Sequence, residues 1–252
     1  MKNVAIVLAG GSGSRMKSKV KKQYMMLGNR PVLWYSLRVF QENPNIDEIV
    51  LVCGTGEEEQ CRREFVETYG FSKIQKITAG GKERYNSVYE GLKEVGACDY
   101  VLIHDGARPF INHKMLERIF ACLADCPACV VGMPVKETIK IRNADCFVEQ
   151  TLPRDRLWTV QTPQSFSCSL IRQAYDKLMS FYQFDAELRQ ERRKQSIETE
   201  KTRTQPITDD AMVVETIMNI PVKLIEGSYD NIKITTPEDL AVAEMLLARI
   251  TD

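Results

Sequence analysis

Apolar residues recur along this chain with two periods that alternate. Strand-like runs at Val4–Leu8, Glu48–Cys53, Lys73–Thr78, Tyr100–His104 and Cys129–Met133 have the length and residue types of strands. Between them, Pro31–Gln41, Glu57–Tyr69, Lys82–Glu94 and His113–Asp125 carry apolar residues at helical spacing, the first with proline in its opening turn. Strand–helix alternation of this kind predicts an α/β, Rossmann-like fold. Its sheet is doubly wound and mostly parallel, with helices on both faces and ligands beyond the carboxyl ends of the strands. No internal repeat and no Pro/Gly/Ser-rich linker divides the chain, so residues 1–252 read as one domain.

Two segments break the rhythm. Val135–Thr151 reads as two alternating strands, "VKETIKI" and "CFVEQT", joined by the turn "RNAD". A lone two-stranded hairpin is marginal in water, so this arm, about 135–151, is expected to be covered by a second subunit in a homodimer. Residues 185–205, "DAELRQERRKQSIETEKTRTQ", form an insertion crowded with charges of both signs and read as a solvated helical extension and loop. Its basic triplet Arg192-Arg193-Lys194 is offset by Glu187, Glu191, Glu198 and Glu200.

Composition narrows the classes. Thirty-four basic residues balance thirty-four acidic ones in 252 residues, which gives no global bias toward nucleic acid or anionic membrane. No apolar run approaches the ~20 residues that span a bilayer. Met1-Lys2-Asn3 leads straight into a strand-like run without the pattern of a secretory signal, so the chain reads as cytoplasmic. Its eight cysteines then read as reduced thiols. Cys122, Cys126 and Cys129 have an iron–sulfur-like C-x3-C-x2-C spacing, but a helix carries the first and a strand the last, so convergence on a cluster is not expected.

The densest signal is "VLAGGSGSRM", residues 7–16. Glycines let the backbone approach an anion closely, and free N–H groups bind phosphate oxygens. The P-loop string is absent. A dinucleotide fingerprint fits at Gly11 and Gly13 but finds Met16 in place of its third glycine, and no acidic residue near position 35. A nucleotidyltransferase loop, L-A-G-G-x-G-x-R-M followed by a lysine, fits throughout, with Lys22 in "KKQY". Fixed cations at Arg15 and Lys22 suit a triphosphate, because charge develops on the leaving pyrophosphate during attack at the α-phosphorus. Asp105, just past a strand in "LIHDGARPFI", suits a Mg²⁺ ion bridging phosphates. His104 reads as a packed strand-end residue, and two histidines offer little to a Ser-His-Asp hydrolase.

With "KKQY", "TAGGKERYNSV", "HDGARPF", "PVKETIK", "LWTVQTPQSF", "TDDA" and "DNIKITTPEDL" added, the chain resembles the 2-C-methyl-D-erythritol 4-phosphate cytidylyltransferase family almost end to end. The resemblance implies a nucleotide-diphospho-sugar transferase-like fold with a dimerising β-arm. The implied substrates are CTP and a sugar-alcohol phosphate, with Mg²⁺ as cofactor. It implies that Arg15 and Lys22 stabilise the transition state, and that Ala9, Gly10, Gly11, Gly13, Gly81, Ser87 and Arg108 hold the nucleotide. Asp105 is then at the metal, Arg154 and Lys233 position the acceptor phosphate, and Thr138 and Arg154 reach the neighbouring subunit's site; buried strand packing is the plainer reading of Thr138. Lys21 stands where proline is usual, Lys82 where an acidic residue is usual, and the charged insertion is longer than usual. A ribitol 5-phosphate cytidylyltransferase would share the glycine loop and T-P-Q-S-F, but "HDGARP", "LW" and "DNIK" favour the methylerythritol enzyme. A non-catalytic nucleotide-binding module would not need cations placed for both substrates.

Overall fold

The computed structural model describes residues 1–11, 16, 20–194 and 207–251, with backbone alone at 184–194, 250 and 251. The first half runs β1 (Asn3–Leu8), a small ladder of β2 (Met26–Leu27) and β3 (Arg30–Pro31), α1 (Val32–Glu42), β4 (Glu48–Cys53), α2 (Glu58–Cys61), β5 (Ile74–Ala79), α3 (Arg84–Glu94) and β6 (Tyr100–Asp105). The second half runs α4 (His113–Leu123), β7 (Ala128–Pro134), β8 (Lys140–Arg142), β9 (Val148–Thr151), β10 (Trp158–Ser167), α5 (Cys168–Lys194), α6 (Asp210–Val213), β11 (Lys223–Glu226) and α7 (Pro237–Thr251). Seven strands form one sheet in the order β11-β7-β10-β6-β1-β4-β5, parallel except for β10, which runs antiparallel between β7 and β6.

Alternation along β1 makes the two faces. Ala5 and Val7 join a core with Leu33, Leu37 and Phe40 of α1 and Met115, Leu116 and Ile119 of α4. Val4 and Ile6 face the other way, onto Val88 and Leu92 of α3 and Ile171, Ala174 and Tyr175 of α5. All four β1 side chains are fully buried, each contributing on the order of 1.5–3 kcal/mol for an aliphatic of this size. After β5 the chain returns to the far side of β1 to lay down β6, so the order reverses at β1 and opens a crevice beyond the ends of β1 and β6. Helix starts are fixed locally. Asn112 caps α4 by accepting from the Met115 amide at 3.0 Å, and Glu83 and Asn86 form a capping box at the head of α3.

Several expectations shift. The helix expected over 57–69 is α2 followed by a π-helical stretch, Arg62–Thr68, where Phe65 is fully buried. The arm's strands are shorter than its alternation implies, because the turn is wider than "RNAD". Asn143 Oδ1 accepts from the Phe147 amide at 2.9 Å, and Cys146 takes a positive φ of 67°, so pairing resumes only at Val148. As expected, Cys122 stands on α4 and Cys129 on β7, and both are free thiols together with Cys126. Among the described residues no three His, Cys, Asp or Glu side chains are set to hold a metal. The charged insertion falls largely outside the described side chains. No helix among the described residues is long and apolar enough to cross a membrane.

Gly91 seats α3 on the sheet: a Cβ there would lie 2.8 Å from Ile6 and 2.9 Å from Val52. Alanine is the better helix former by about 1 kcal/mol, yet overpacking costs about 1–3 kcal/mol. Urea unfolding should therefore find Gly91→Ala destabilised, while Gly96→Ala, which meets nothing within 4 Å, stays within about 0.5 kcal/mol of the parent. His104 is fully buried at the end of β6, edge-on to Phe40, and burial lowers its pKa to about 4. The folded pKa lies below the unfolded one, so this stability is complete above about pH 6.5 and drains away as pH falls toward 4, by roughly 3 kcal/mol. Urea midpoints at pH 7 and 4.5 should diverge more in the parent than in His104→Gln.

Candidate functional site

Beyond the ends of β1, β6 and β5 lies a cavity of about 500 Å³. One wall is the backbone of Ala9, Gly10 and Gly11, continuing β1. Gly10 must be glycine, since a Cβ would sit 3.0 Å from the Cys53 carbonyl at the end of β4. Gly81 and Ser87 form the opposite wall, where the Ser87 hydroxyl accepts from the Gly81 amide at 3.1 Å. Lys82, Glu83 and Arg84 line the same side, and Lys22, Asp105 and Lys233 complete the charged interior.

Asp105 is the electrostatic centre. Its Oδ1 lies 3.2 Å from Arg84 Nε, and its Oδ2 lies 2.8 Å from Lys233 Nζ and 3.8 Å from Arg108 Nε. Burial alone would raise its pKa; Arg84, Lys233 and Arg108 outweigh that and hold the carboxyl well below the usual carboxylate range. Arg84 is itself fixed from behind by a bidentate pair with buried Asp210, both contacts 2.8 Å. Asp210 also accepts from the Tyr175 hydroxyl at 2.5 Å, and Gln164 Oε1 accepts from the Asp210 and Ala211 amides at 2.8 and 3.0 Å. On the far side, Asp239 in the first turn of α7 accepts from the Thr235 amide and hydroxyl at 2.8 and 2.6 Å, fixing the segment that follows Lys233.

Of the residues singled out from sequence, Ala9, Gly10, Gly11, Lys22, Gly81, Ser87, Asp105 and Lys233 come together on this cavity. Arg108 does not line it. Its guanidinium lies behind Asp105 with Nη1 donating to the Asn231 carbonyl at 2.8 Å, and its buried Nε makes no hydrogen bond. Thr138 and Arg154 lie apart, exposed at the root of the arm, where Arg154 Nη1 donates to the Lys136 carbonyl at 2.9 Å; exposure removes the buried-strand reading of Thr138. Gly13 and Arg15 lie outside the described residues. Sequence reading gave no role to Arg84 or Gln23, although both stand inside its quoted strings. Gln23 Nε2 ties to the carbonyls of Ala9 and Gly11 and so joins the lysine turn to the glycine loop.

With no carboxylate triad available, a metal at Asp105 would need oxygens brought by the ligand. That donor set, one carboxylate plus phosphates, is the habit of Mg²⁺. A backbone cradle for phosphates, a ring of cations and the ion-paired carboxylate of Asp105 together fit a nucleoside triphosphate and an anionic acceptor.

Comparison with known proteins places the chain in a family. The sequence profile of the 2-C-methyl-D-erythritol 4-phosphate cytidylyltransferase family matches residues 3–249. The enzyme of that name from Lachnoclostridium phytofermentans is 42% identical over 100% of this chain and 98% of its own length. The one from Lachnospira eligens is 44% identical over 97% and 99%. The crystal structure of 4-diphosphocytidyl-2C-methyl-D-erythritol synthase from Anaerococcus prevotii superposes with a TM-score of 0.79 at 31% identity, covering 98% of this chain and 96% of that one. The chain belongs to the 2-C-methyl-D-erythritol 4-phosphate cytidylyltransferase family, nucleotidyltransferases of isoprenoid precursor biosynthesis.

Proposed function

We propose that this cavity carries out CMP transfer from CTP to 2-C-methyl-D-erythritol 4-phosphate through the residues named above. The observation that carries the reading is the joint placement of the glycine backbone, Lys22, Asp105 and Lys233 on one cavity. An acceptor phosphate oxygen attacks the α-phosphorus of CTP. A new O–P bond forms, the α–β anhydride bond breaks, and pyrophosphate leaves with the electron pair. A phosphate monoester is already anionic at neutral pH, so no general base is needed, and His104, buried with a pKa of about 4, is not one.

The chain's part is placement and charge. The backbone of Ala9–Gly11, with Gly13, Gly81 and Ser87, cradles the nucleotide. Arg15 and Lys22 offset charge as it builds on the leaving group. Asp105 would hold Mg²⁺, which when bound neutralises triphosphate charge. Lys233 then turns from Asp105 to the acceptor phosphate. Arg108 contributes indirectly, from behind Asp105.

The arm supports the homodimer reading. Ile141, Phe147 and Val148 are 42%, 71% and 60% exposed, an apolar ribbon of the kind a second subunit covers. In that arrangement Thr138 and Arg154 complete the partner's site, which would account for their distance from the cavity of their own chain. The balanced charge supports an enzyme with no nucleic-acid partner.

Pyrophosphate release from CTP and methylerythritol phosphate should greatly exceed release with ribitol 5-phosphate, ATP or GTP; equal turnover of ribitol phosphate would overturn the substrate assignment. Lys22→Ala should keep its fold and lose on the order of 10² in kcat. Arg154→Ala should raise KM for the acceptor while leaving CTP binding nearly intact. Mixed with Lys22→Ala chains, it should recover activity, because one site of each heterodimer inherits neither lesion. No recovery after subunit exchange, checked by native mass spectrometry, would place Arg154 in its own chain's site.

A further inference from the structure

Lys22 sits in a four-residue turn, two of whose residues reach one carboxylate. The turn is a single 3₁₀ helix, Lys22–Tyr24, closed by Tyr24 N–H to Lys21 carbonyl and Met25 N–H to Lys22 carbonyl bonds of 2.9 and 3.3 Å. The two residues flanking the central pair of this turn reach the same side chain. Lys21 Nζ lies 2.5 Å from Glu57 Oε1, and the Tyr24 hydroxyl donates to Glu57 Oε2 at 3.0 Å. Glu57 is fixed in turn, because Oε2 also accepts from the Gly54 amide at 3.0 Å and its own amide donates to the Gly54 carbonyl at 3.0 Å. Room for the contact comes from Gly54, where a Cβ would lie 2.5 Å from Lys21 Nζ and 2.6 Å from Glu57 Oε2. The Tyr24 ring stacks on Phe65 at 6.4 Å.

We propose that Glu57, acting through Lys21 and Tyr24, is the positioning residue that aims Lys22 into the cavity. The proposal rests on the reading of Lys22 as a transition-state cation and adds a device for keeping it in place. Gln23 bolts the turn to the glycine loop, and Glu57 bolts it to the loop after β4, so Lys22 is held between two anchors. Lys21 has φ −66° and ψ 140°, the backbone of a proline, and its amide donates no hydrogen bond to a described residue. The Lys21–Glu57 ion pair therefore supplies by a side-chain contact the restraint that a proline ring would supply covalently. Both partners are partly shielded, with side chains 32% and 17% exposed, which makes the pair less open to screening than a surface one.

The test compares the full-length parent with Lys21→Ala, Glu57→Gln and Lys21→Pro, by hydrogen–deuterium exchange of peptides spanning Val20 to Leu27 and by kcat and KM for pyrophosphate release. Lys21→Ala and Glu57→Gln should each exchange about tenfold faster across the turn and lose about tenfold in kcat, with KM for CTP moving less than about threefold. Lys21→Pro should recover both slow exchange and most of the kcat lost in Lys21→Ala. Unchanged exchange in Lys21→Ala overturns the proposal whatever the activity. Faster exchange with normal kcat overturns it as well, and so does a proline variant that behaves like the alanine one. Lys21 is half-exposed, so Lys21→Ala carries the test alone if Glu57→Gln fails to fold. A parent that releases no pyrophosphate would instead remove the role of Lys22 in catalysis, while the exchange data still decide whether Glu57 clamps the turn.

Discussion

The charge on Asp105 is the interaction on which this architecture turns. A carboxylate with 10% of its side chain exposed stays ionised only among opposite charges, and Arg84, Lys233 and Arg108 provide them from three separate parts of the chain. Each has to be held where it is. Arg84 stands on the first turn of α3 and is gripped by Asp210 of α6; Lys233 precedes a segment fixed by Asp239 of α7; Arg108 is hooked to the Asn231 carbonyl. Elements far apart in sequence are brought to one point by the electrostatic demand of a single side chain. Removing any one cation leaves a buried negative charge under-compensated, which costs more than the isolated contact would suggest.

The two anchored sides of the cavity give it different characters. The Asp105 side is an ionic lattice backed by buried Tyr175 and Gln164. The Lys22 side is a short turn leaning on neighbouring loops through side chains. Chemistry that must meet charge on both a triphosphate and an acceptor uses this division well. On the proposed function, the Asp105 side would fix where the phosphates lie, and the Lys22 side would bring a cation that need only be aligned while the bond is changing hands.

Much of this could be read in the chain before any coordinates. The strand-like runs gave five of the parallel strands to within a residue or two, because buried strands admit few other residue types. The glycine loop, Lys22 and Asp105 stood out because phosphate chemistry restricts what can sit there. What stayed hidden depends on distance along the chain. Arg84 and Asp210 are 126 residues apart, and neither carries a local pattern to announce the other. Glu57 reads locally as one of three consecutive glutamates opening a helix. Only the fold shows that it faces Lys21. The arm's turn was misplaced because Asn143 closes a wider loop through its side chain, a choice that alternation does not record.

The hydrogen bond from Tyr175 to Asp210 has a consequence for how such a chain can change over time. It fastens α5 near its start to the head of α6, so two residues 35 apart in sequence are joined at one point of the body. The site responds to where Tyr175 and Asp210 stand, not to how much chain joins them, and closing a longer loop costs only about 0.6 kcal/mol per doubling. Leu178 is buried and Met179 and Tyr182 pack against the core, so those positions are not free to drift, whereas added length between them and Asp210 leaves the cations around Asp105 in their places.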